Sequence, residues 1–447
     1  MNPECGKSKI KRIKQIKVQT MSSKTINKIV PKLRFPEFND AGEWKQTTLG
    51  QIGELKNGIN FSPDKKGRGI LTVDVLNMFG QGIETKFDSL YRVDINAKDS
   101  LLKDNDILFV RSSLKREGVG WASLFKDYSE PVLFCGFLIR LRLSSLEITN
   151  PVFLLHFLRS DIGRNKIISL SGTAAITNIS QDSLKEIPIP LPSNLEQQKI
   201  ASCLSSLDEL IAAENQKLET LKTHKKGLMQ QLFPAEGETL PKLRFAEFRD
   251  KEGWEAKEFS KYIVLYRGSS PRPIQDYFTK SKEGVNWIKI GDTKSADNFI
   301  ISQVEEKITP KGAEKSRKVS KGELILANSM SFGKTYQLAI DGFIYDGWFV
   351  LREYEKYFHK QFLLQLLNSD YMQNQYKKLS AGGIVQNISS DIVYKTILPH
   401  TSLPEQQKIA YCLSSLDERI AAQSQKTEAL KVHKKGLMQG LFPNAEV

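Results

Sequence analysis

The side chains that could carry out a reaction are few, and none forms a complete site. One stretch is shaped like a phosphate loop: Asn328-Ser329-Met330-Ser331-Phe332-Gly333-Lys334-Thr335, directly after the apolar run Leu324–Ala327. A phosphate loop needs Gly where Asn328 stands, because its backbone must curl around the phosphates. The missing Gly argues against nucleotide binding. There is no Asn/Asp-Pro-Pro-aromatic motif of methyl transfer and no Gly-rich dinucleotide fingerprint. His156, His224, His359, His400 and His433 form no cluster, and Cys5, Cys135, Cys203 and Cys412 lack metal-ligand spacing. No metal, no cofactor and no catalytic residue are expected. What remains are hydrogen-bonding groups at the ends of apolar runs: Arg111-Ser112-Ser113 with Lys115 and Arg116, and Asn328-Ser329 with Lys334 and Thr335.

Two copies of one long element are available to position them. Ser193 to Pro234, SNLEQQKIASCLSSLDELIAAENQKLETLKTHKKGLMQQLFP, recurs as Ser402 to Pro443, SLPEQQKIAYCLSSLDERIAAQSQKTEALKVHKKGLMQGLFP, offset by 209 residues. Each copy predicts one helix. Ser193 and Ser402 stand as N-caps, with Glu196 and Glu405 three residues on, the pattern of a capping box in which the carboxylate reaches back. Pro404 falls in the first turn, and Pro234 and Pro443 end the helices. Apolar residues follow a 4-3 spacing: Ile200, Leu204, Leu207, Ile211, Leu218, Leu221, Leu228 and Leu232, then Ile409, Leu413, Leu416, Ile420, Leu430, Leu437 and Leu441. A seam of that length predicts a coiled coil. Glu214, Lys225, Gln423, Thr427 and Lys434 interrupt it, and polar seam residues can fix register. At about 1.5 Å per residue each rod is about 58 Å long.

Pro31-Lys32-Leu33-Arg34-Phe35 recurs as Pro241-Lys242-Leu243-Arg244-Phe245, offset by 210 residues. The chain is therefore two tandem units, each a globular head followed by a helix. In the first head Ile70–Leu76, Ile107–Val110 and Val132–Leu141 predict strands, and Pro151–Arg164 a helix. In the second, Val285–Ile290, Leu324–Ala327 and Phe343–Leu351 predict strands, and Lys360–Tyr376 a helix. The heads have diverged far more than the helices, which suits a fixed scaffold bearing two different ligand sites. Trp121 and Trp348 are expected in cores. The repeat-equivalent Cys203 and Cys412 are expected as buried thiols rather than a disulfide, which fits a reducing cytoplasm. No apolar run approaches a membrane span, and no secretory signal is present. The net charge is +14, of which residues 1–30, with eight Lys/Arg against one Glu, supply half. That tail, including Lys7, Lys9, Lys11, Arg12, Lys14 and Lys17, either hugs a polyanion or extends a chain that starts at Met21.

From about residue 31 onward the chain resembles the specificity subunit of type I restriction–modification systems. The features that carry the resemblance are PKLRF ahead of each head, GTAAITNIS and GGIVQNIS closing it, IPIPLPSNLEQQKIA and ILPHTSLPEQQKIA opening each rod, and the LMQ-x-LFP endings. The resemblance implies an α/β (α+β) chain with two target recognition domains separated by a long antiparallel two-helix coiled coil in a pseudo-two-fold repeat. Its expected layout is a basic tail over 1–30, domains over 31–190 and 236–400, and helices over 191–235 and 401–447. It implies a non-catalytic subunit in the cytoplasm that reads a bipartite duplex DNA target. Partners would be methyltransferase subunits, expected as two copies, and motor/endonuclease subunits. Arginine reads guanine bidentately, asparagine reads adenine, and Ser, Thr and Lys serve phosphates. The candidate DNA contacts are therefore Arg111, Ser112, Lys115, Arg116, Asn178, Asn328, Ser329, Lys334, Thr335 and Gln386. Lys56, Arg68, Arg267 and Arg272 are weaker candidates. The alternative is a coiled-coil adaptor whose heads bind proteins. The segment Pro31–Phe35 is also expected to pack beside the end of the second rod, as Pro241–Phe245 follows the first.

Overall fold

The computed structural model describes residues 29–80, 82–172, 177–296, 298–329, 333–380 and 387–443. Gln386, the tail cations and Cys5 lie outside them, as do residues 173–176 and 330–332 of the two loops. The chain divides into two compact units: residues up to 207 with those from 433 onward, and residues 208–432. Both long helices take the expected 39-residue length, Asn194–Leu232 and Leu403–Leu441.

In the first unit a four-stranded sheet takes the order Gly53–Asn57, Leu138–Leu143, Ile107–Val110, Ala122–Leu124, and a three-stranded sheet the order Tyr91–Val93, Lys66–Val73, Val132–Phe134. Ile107–Val110 is buried along its whole length, as its four consecutive apolar residues require. In the second unit the five-stranded order is Val264–Arg267, Trp348–Arg352, Leu324–Ala327, Thr335–Leu338, Ile300–Ile301, beside a four-stranded sheet built on Val285–Ile288 and Gly342–Ile344. A parallel pair recurs in both heads: Leu71 faces Val132 in one, Trp287 faces Phe343 in the other.

Four expected elements are each broken in two. Pro151–Arg159 and Asp161–Ser169 are separate helices, as are Lys360–Asn368 and Asp370–Leu379. The break falls at a serine each time. Ser160 Oγ donates to Phe157 O and accepts from Gly163 N, and Ser369 Oγ likewise donates to Leu366 O and accepts from Met372 N. Each hydroxyl ends one helix and caps the next. The expected strands Val132–Leu141 and Phe343–Leu351 are also split, by turns at Cys135–Phe137 and Tyr345–Gly347.

The repeated motifs hold each helix to its head. Glu196 does not reach back as a capping box would: Arg34 grips it with Nε and Nη2 at 2.8 and 2.7 Å, and Trp44 Nε1 donates at 3.2 Å. Glu405 is held the same way by Arg244 at 2.7 and 2.8 Å and by Trp254 at 3.4 Å. The Arg of PKLRF thus pairs bidentately with the Glu of EQQKIA, a buried, charge-assisted contact. The following Gln197 donates to Ile148 O and Pro192 O and accepts from Asn150 N; Gln406 repeats this with Tyr357 O, Thr401 O and His359 N.

The expected packing of the N-terminal segment against the second helix is present: Leu33 N donates to Gly440 O at 2.9 Å, and its counterpart Leu243 N donates to Gln231 O at 2.9 Å. Phe442 sets its ring against Phe153 and Phe157 in the first unit, and Phe233 against Phe362 in the second. Within each unit the two helices run antiparallel. In the first, Ile200 and Leu204 share a core with Leu437 and Leu441. In the second, the polar seam residues meet one another: Lys225 reaches Asp417 at 2.6 Å, and Lys426 and Gln423 both donate to Glu214. Ile211, Leu218 and Leu416 are buried, while Leu207, Leu221, Leu228, Ile420 and Leu430 are half-buried. Ile409 and Leu413 belong to the second head's core, so the seam ends as head core rather than as free coil.

Candidate nucleic-acid interface

One end of the first head gathers most of its candidate contacts. Ile107–Val110 stops at Arg111, whose N donates to Phe137 O and whose O accepts from Ile179 N. Ser112–Ser113 then pairs antiparallel with Thr177–Asn178, so Ser112 lies opposite Asn178 and their side chains hydrogen-bond. Lys115 and Arg116 are exposed on the following loop. Arg164 anchors that loop from below, its Nη2 donating to Glu117 O and Val119 O. Burial pulls the Arg164 guanidinium down to about 10. Residues 67 positions apart in sequence thus form one polar, cationic surface of Arg111, Ser112, Lys115, Arg116 and Asn178.

Trp121 beside it is half-buried rather than core. Its Nε1 donates to Met78 O, Phe79 stacks on it at 6.2 Å, and Arg159 lies 4.8 Å from the ring centroid. Trp348, by contrast, is fully buried as expected.

The second head uses the same backbone plan with different side chains. Asn328 O accepts from Ile388 N at 2.7 Å, as Arg111 O does from Ile179 N at 3.0 Å, so the two positions are equivalent. Two of the expected contacts are buried here. Asn328 is buried and its Nδ2 donates to Asp346 O, which commits the amide to the protein backbone. Thr335 is wholly buried in strand Thr335–Leu338, so its hydroxyl has no solvent face to offer DNA. Lys334 is half-buried, near Phe299, and burial lowers its pKa. Ser329 stays half-buried next to Tyr345. Exposed Asn387, not Gln386, is the sequence equivalent of Asn178.

The weaker candidates are engaged within the heads: Lys56 with Asp99 O, Arg68 with Asp94, Arg267 with Asp346 O and Arg272 with the Asp346 carboxylate. Arg272 also rims a groove of about 680 Å³ with Lys289, Trp287, Tyr345 and Asp346. No motif signalled this groove, because its lining comes from three separated segments. Cys203 and Cys412 are free thiols, half-buried rather than buried. Among the described residues no group of His, Cys, Asp or Glu could hold a metal ion, and no helix is long and apolar enough to cross a membrane.

Two diverged heads on near-identical helices define a duplicated scaffold with a different loop region at the equivalent place in each head. The profile of the type I restriction modification DNA specificity domain matches twice, over residues 41–223 and 253–432. These matches span most of the sequence, and the chain belongs to that family. The MjaVIII specificity subunit of a type I restriction enzyme from Methanocaldococcus jannaschii is 26% identical over 429 residues, covering 92% of this chain and 93% of that one. The crystal structure of a type I restriction–modification S subunit from M. genitalium is similar with a TM-score of 0.55 at 17% identity, over 93% of this chain and 100% of that one. A chain from a study of complex assembly and conformational transition in the type I system gives 0.58 at 17% identity, over 90% of this chain and 98% of that one. At such identity the solved structures speak for the fold. The family match supports DNA recognition and gives the protein-binding adaptor no support. Specificity subunits are non-catalytic, and so is this one.

Proposed function

We propose that each head reads one half of a bipartite duplex DNA target, and that the repeated helices set the distance between the halves. The single observation that carries this is the contrast between the repeats. The helix anchors are matched residue for residue, while the loop after the equivalent strand offers Arg111, Ser112, Lys115 and Arg116 in one head and Ser329 and Lys334 in the other. A scaffold that is kept and reading loops that differ are what two unlike half-sites require. In the first head Arg111 reads guanine, Ser112 and Asn178 contact the backbone or a base edge, and Lys115 and Arg116 neutralise phosphates. In the second, Ser329, Lys334 and Asn387 are the remaining candidates.

Two methyltransferase subunits and the motor/endonuclease subunits act at the site that the heads select, in the cytoplasm where the DNA is. The reading is tested by replacing residues 36–190 with the equivalent segment of another family member, in the full complex. One half of the methylated motif changes and the other stays. A change in both halves contradicts independent heads.

A further inference from the structure

Arg111 and Phe137 form a cross-strand pair that the second head lacks. The register of their strands ends with Val110 opposite Leu138, and the ladder continues one step, with Arg111 N donating to Phe137 O at 2.8 Å. Residues directly opposite in an antiparallel pair send their side chains to the same face, with Cβ atoms about 5 Å apart. The guanidinium leans on the same turn, Nη1 lying 3.5 Å from Gly136 O. Phe137 is 61% exposed although its sequence neighbours on both sides are buried. A single exposed apolar side chain is ordinary on a protein surface; what sets Phe137 apart is its place opposite Arg111. In the second head the ladder from Ala327 and Trp348 continues the same way, with Asn328 N donating to Gly347 O at 3.0 Å. Gly347 therefore stands where Phe137 stands. Leu76 and Leu114 are also exposed in this head, but neither lies opposite Arg111.

We propose that Phe137 is a specificity-determining residue of the first head, its ring packing on the C5-methyl group of a thymine beside the base pair that Arg111 reads. The inference rests on the reading of this head as a half-site reader. In the major groove the thymine methyl is the apolar group that base edges present, and Phe is among the side chains that contact it. Guanine O6 and N7 suit the fork of Arg111. Two side chains on one face, about 5 Å apart, span adjacent base pairs, which stack about 3.4 Å apart. One reads by hydrogen bonds and the other by apolar contact. The second head, with Gly347 in place of the ring, reads no methyl from this position.

The test uses the full chain assembled with its methyltransferase subunits and duplexes carrying the methylated motif. Each thymine of the first head's half-site is replaced in turn by deoxyuridine, which removes only the methyl group. At one thymine the replacement weakens wild-type binding on the order of fivefold and leaves Phe137→Ala unaffected. At every other thymine the two proteins respond alike. The proposal is overturned if no thymine shows a cost that depends on Phe137, or if the half-site holds no thymine. Phe137→Leu and Phe137→Gln run in the same cycle keep the test decisive should the alanine variant assemble poorly: leucine retains part of the methyl effect and glutamine loses it. A wild-type complex without sequence preference overturns the half-site reading itself, which separates that failure from a failure of Phe137 alone.

Discussion

His156 gives the most quantitative prediction about the first head. It is fully buried on helix Pro151–Arg159, and neither ring nitrogen has a hydrogen-bond partner among the described residues. Its equivalent 209 residues on is Gln365, whose Nε2 donates to Asp417 at 2.8 Å. Burial, and then the charges of Lys434 and Arg159, push the imidazole down to about 3. The folded state thus binds a proton more weakly than the unfolded state. Stability from this group is complete above the unfolded value of about 6.5 and is lost as pH falls toward about 3. At about pH 5.5 the loss is about 1.4 kcal/mol relative to pH 8. Hydrogen bonds from Lys426 and Gln423 lower the Glu214 pKa, and, against burial, those from Arg244 and Thr401 lower that of Glu405, so neither carboxylate titrates in that window. Hydrogen exchange of peptides spanning Pro151–Ser169, corrected for intrinsic rate, reads the local effect. Protection there is expected to fall by about 1.4 kcal/mol between about pH 7.5 and 5.5 in the wild type and to stay nearly level in His156→Gln. An equal fall in both proteins would refute the assignment to His156.

Other expectations follow from the anchors and the rods. Glu405→Gln leaves the buried Arg244 guanidinium without its counter-charge and should destabilise the second head by about 3 kcal/mol. Lys199→Ala, which removes an exposed pair with Glu37, should cost far less because solvent screens it; thermal unfolding that ranks the two the other way would contradict the buried-anchor account. Seven residues inserted after Ala213 and after Ala422 together lengthen each helix by about 10 Å. The unread gap should grow by about three base pairs with both half-sites unchanged, whereas a constant gap in a folded, active mutant would show that the rods do not set it.

Much of the scaffold was legible because its signals are local. Ser193, Ser402, Pro234 and Pro443 bracket a sustained heptad pattern, and both helices span the length those residues set. The use of Glu196 was not legible, because its partner Arg34 lies 162 residues away and a nearby serine offers a plausible local role. The helix breaks were missed because Ser160 and Ser369 sit inside otherwise continuous apolar patterns. Turns at Cys135–Phe137 and Tyr345–Gly347 were missed because periodicity alone reads a short apolar run as one strand. That error concealed Phe137, which falls inside the expected strand but stands exposed on the turn. The burial of Asn328 and Thr335 is the complementary case: polar residue type suggests a surface position, and sheet packing buries both.

The central claim, two heads reading two half-sites, is tested most directly by methylome sequencing of a host that carries this chain with its partner subunits and no other such system. The account predicts one methylated motif made of two specified half-sites separated by a run of unspecified bases of fixed length. A single continuous motif would contradict it.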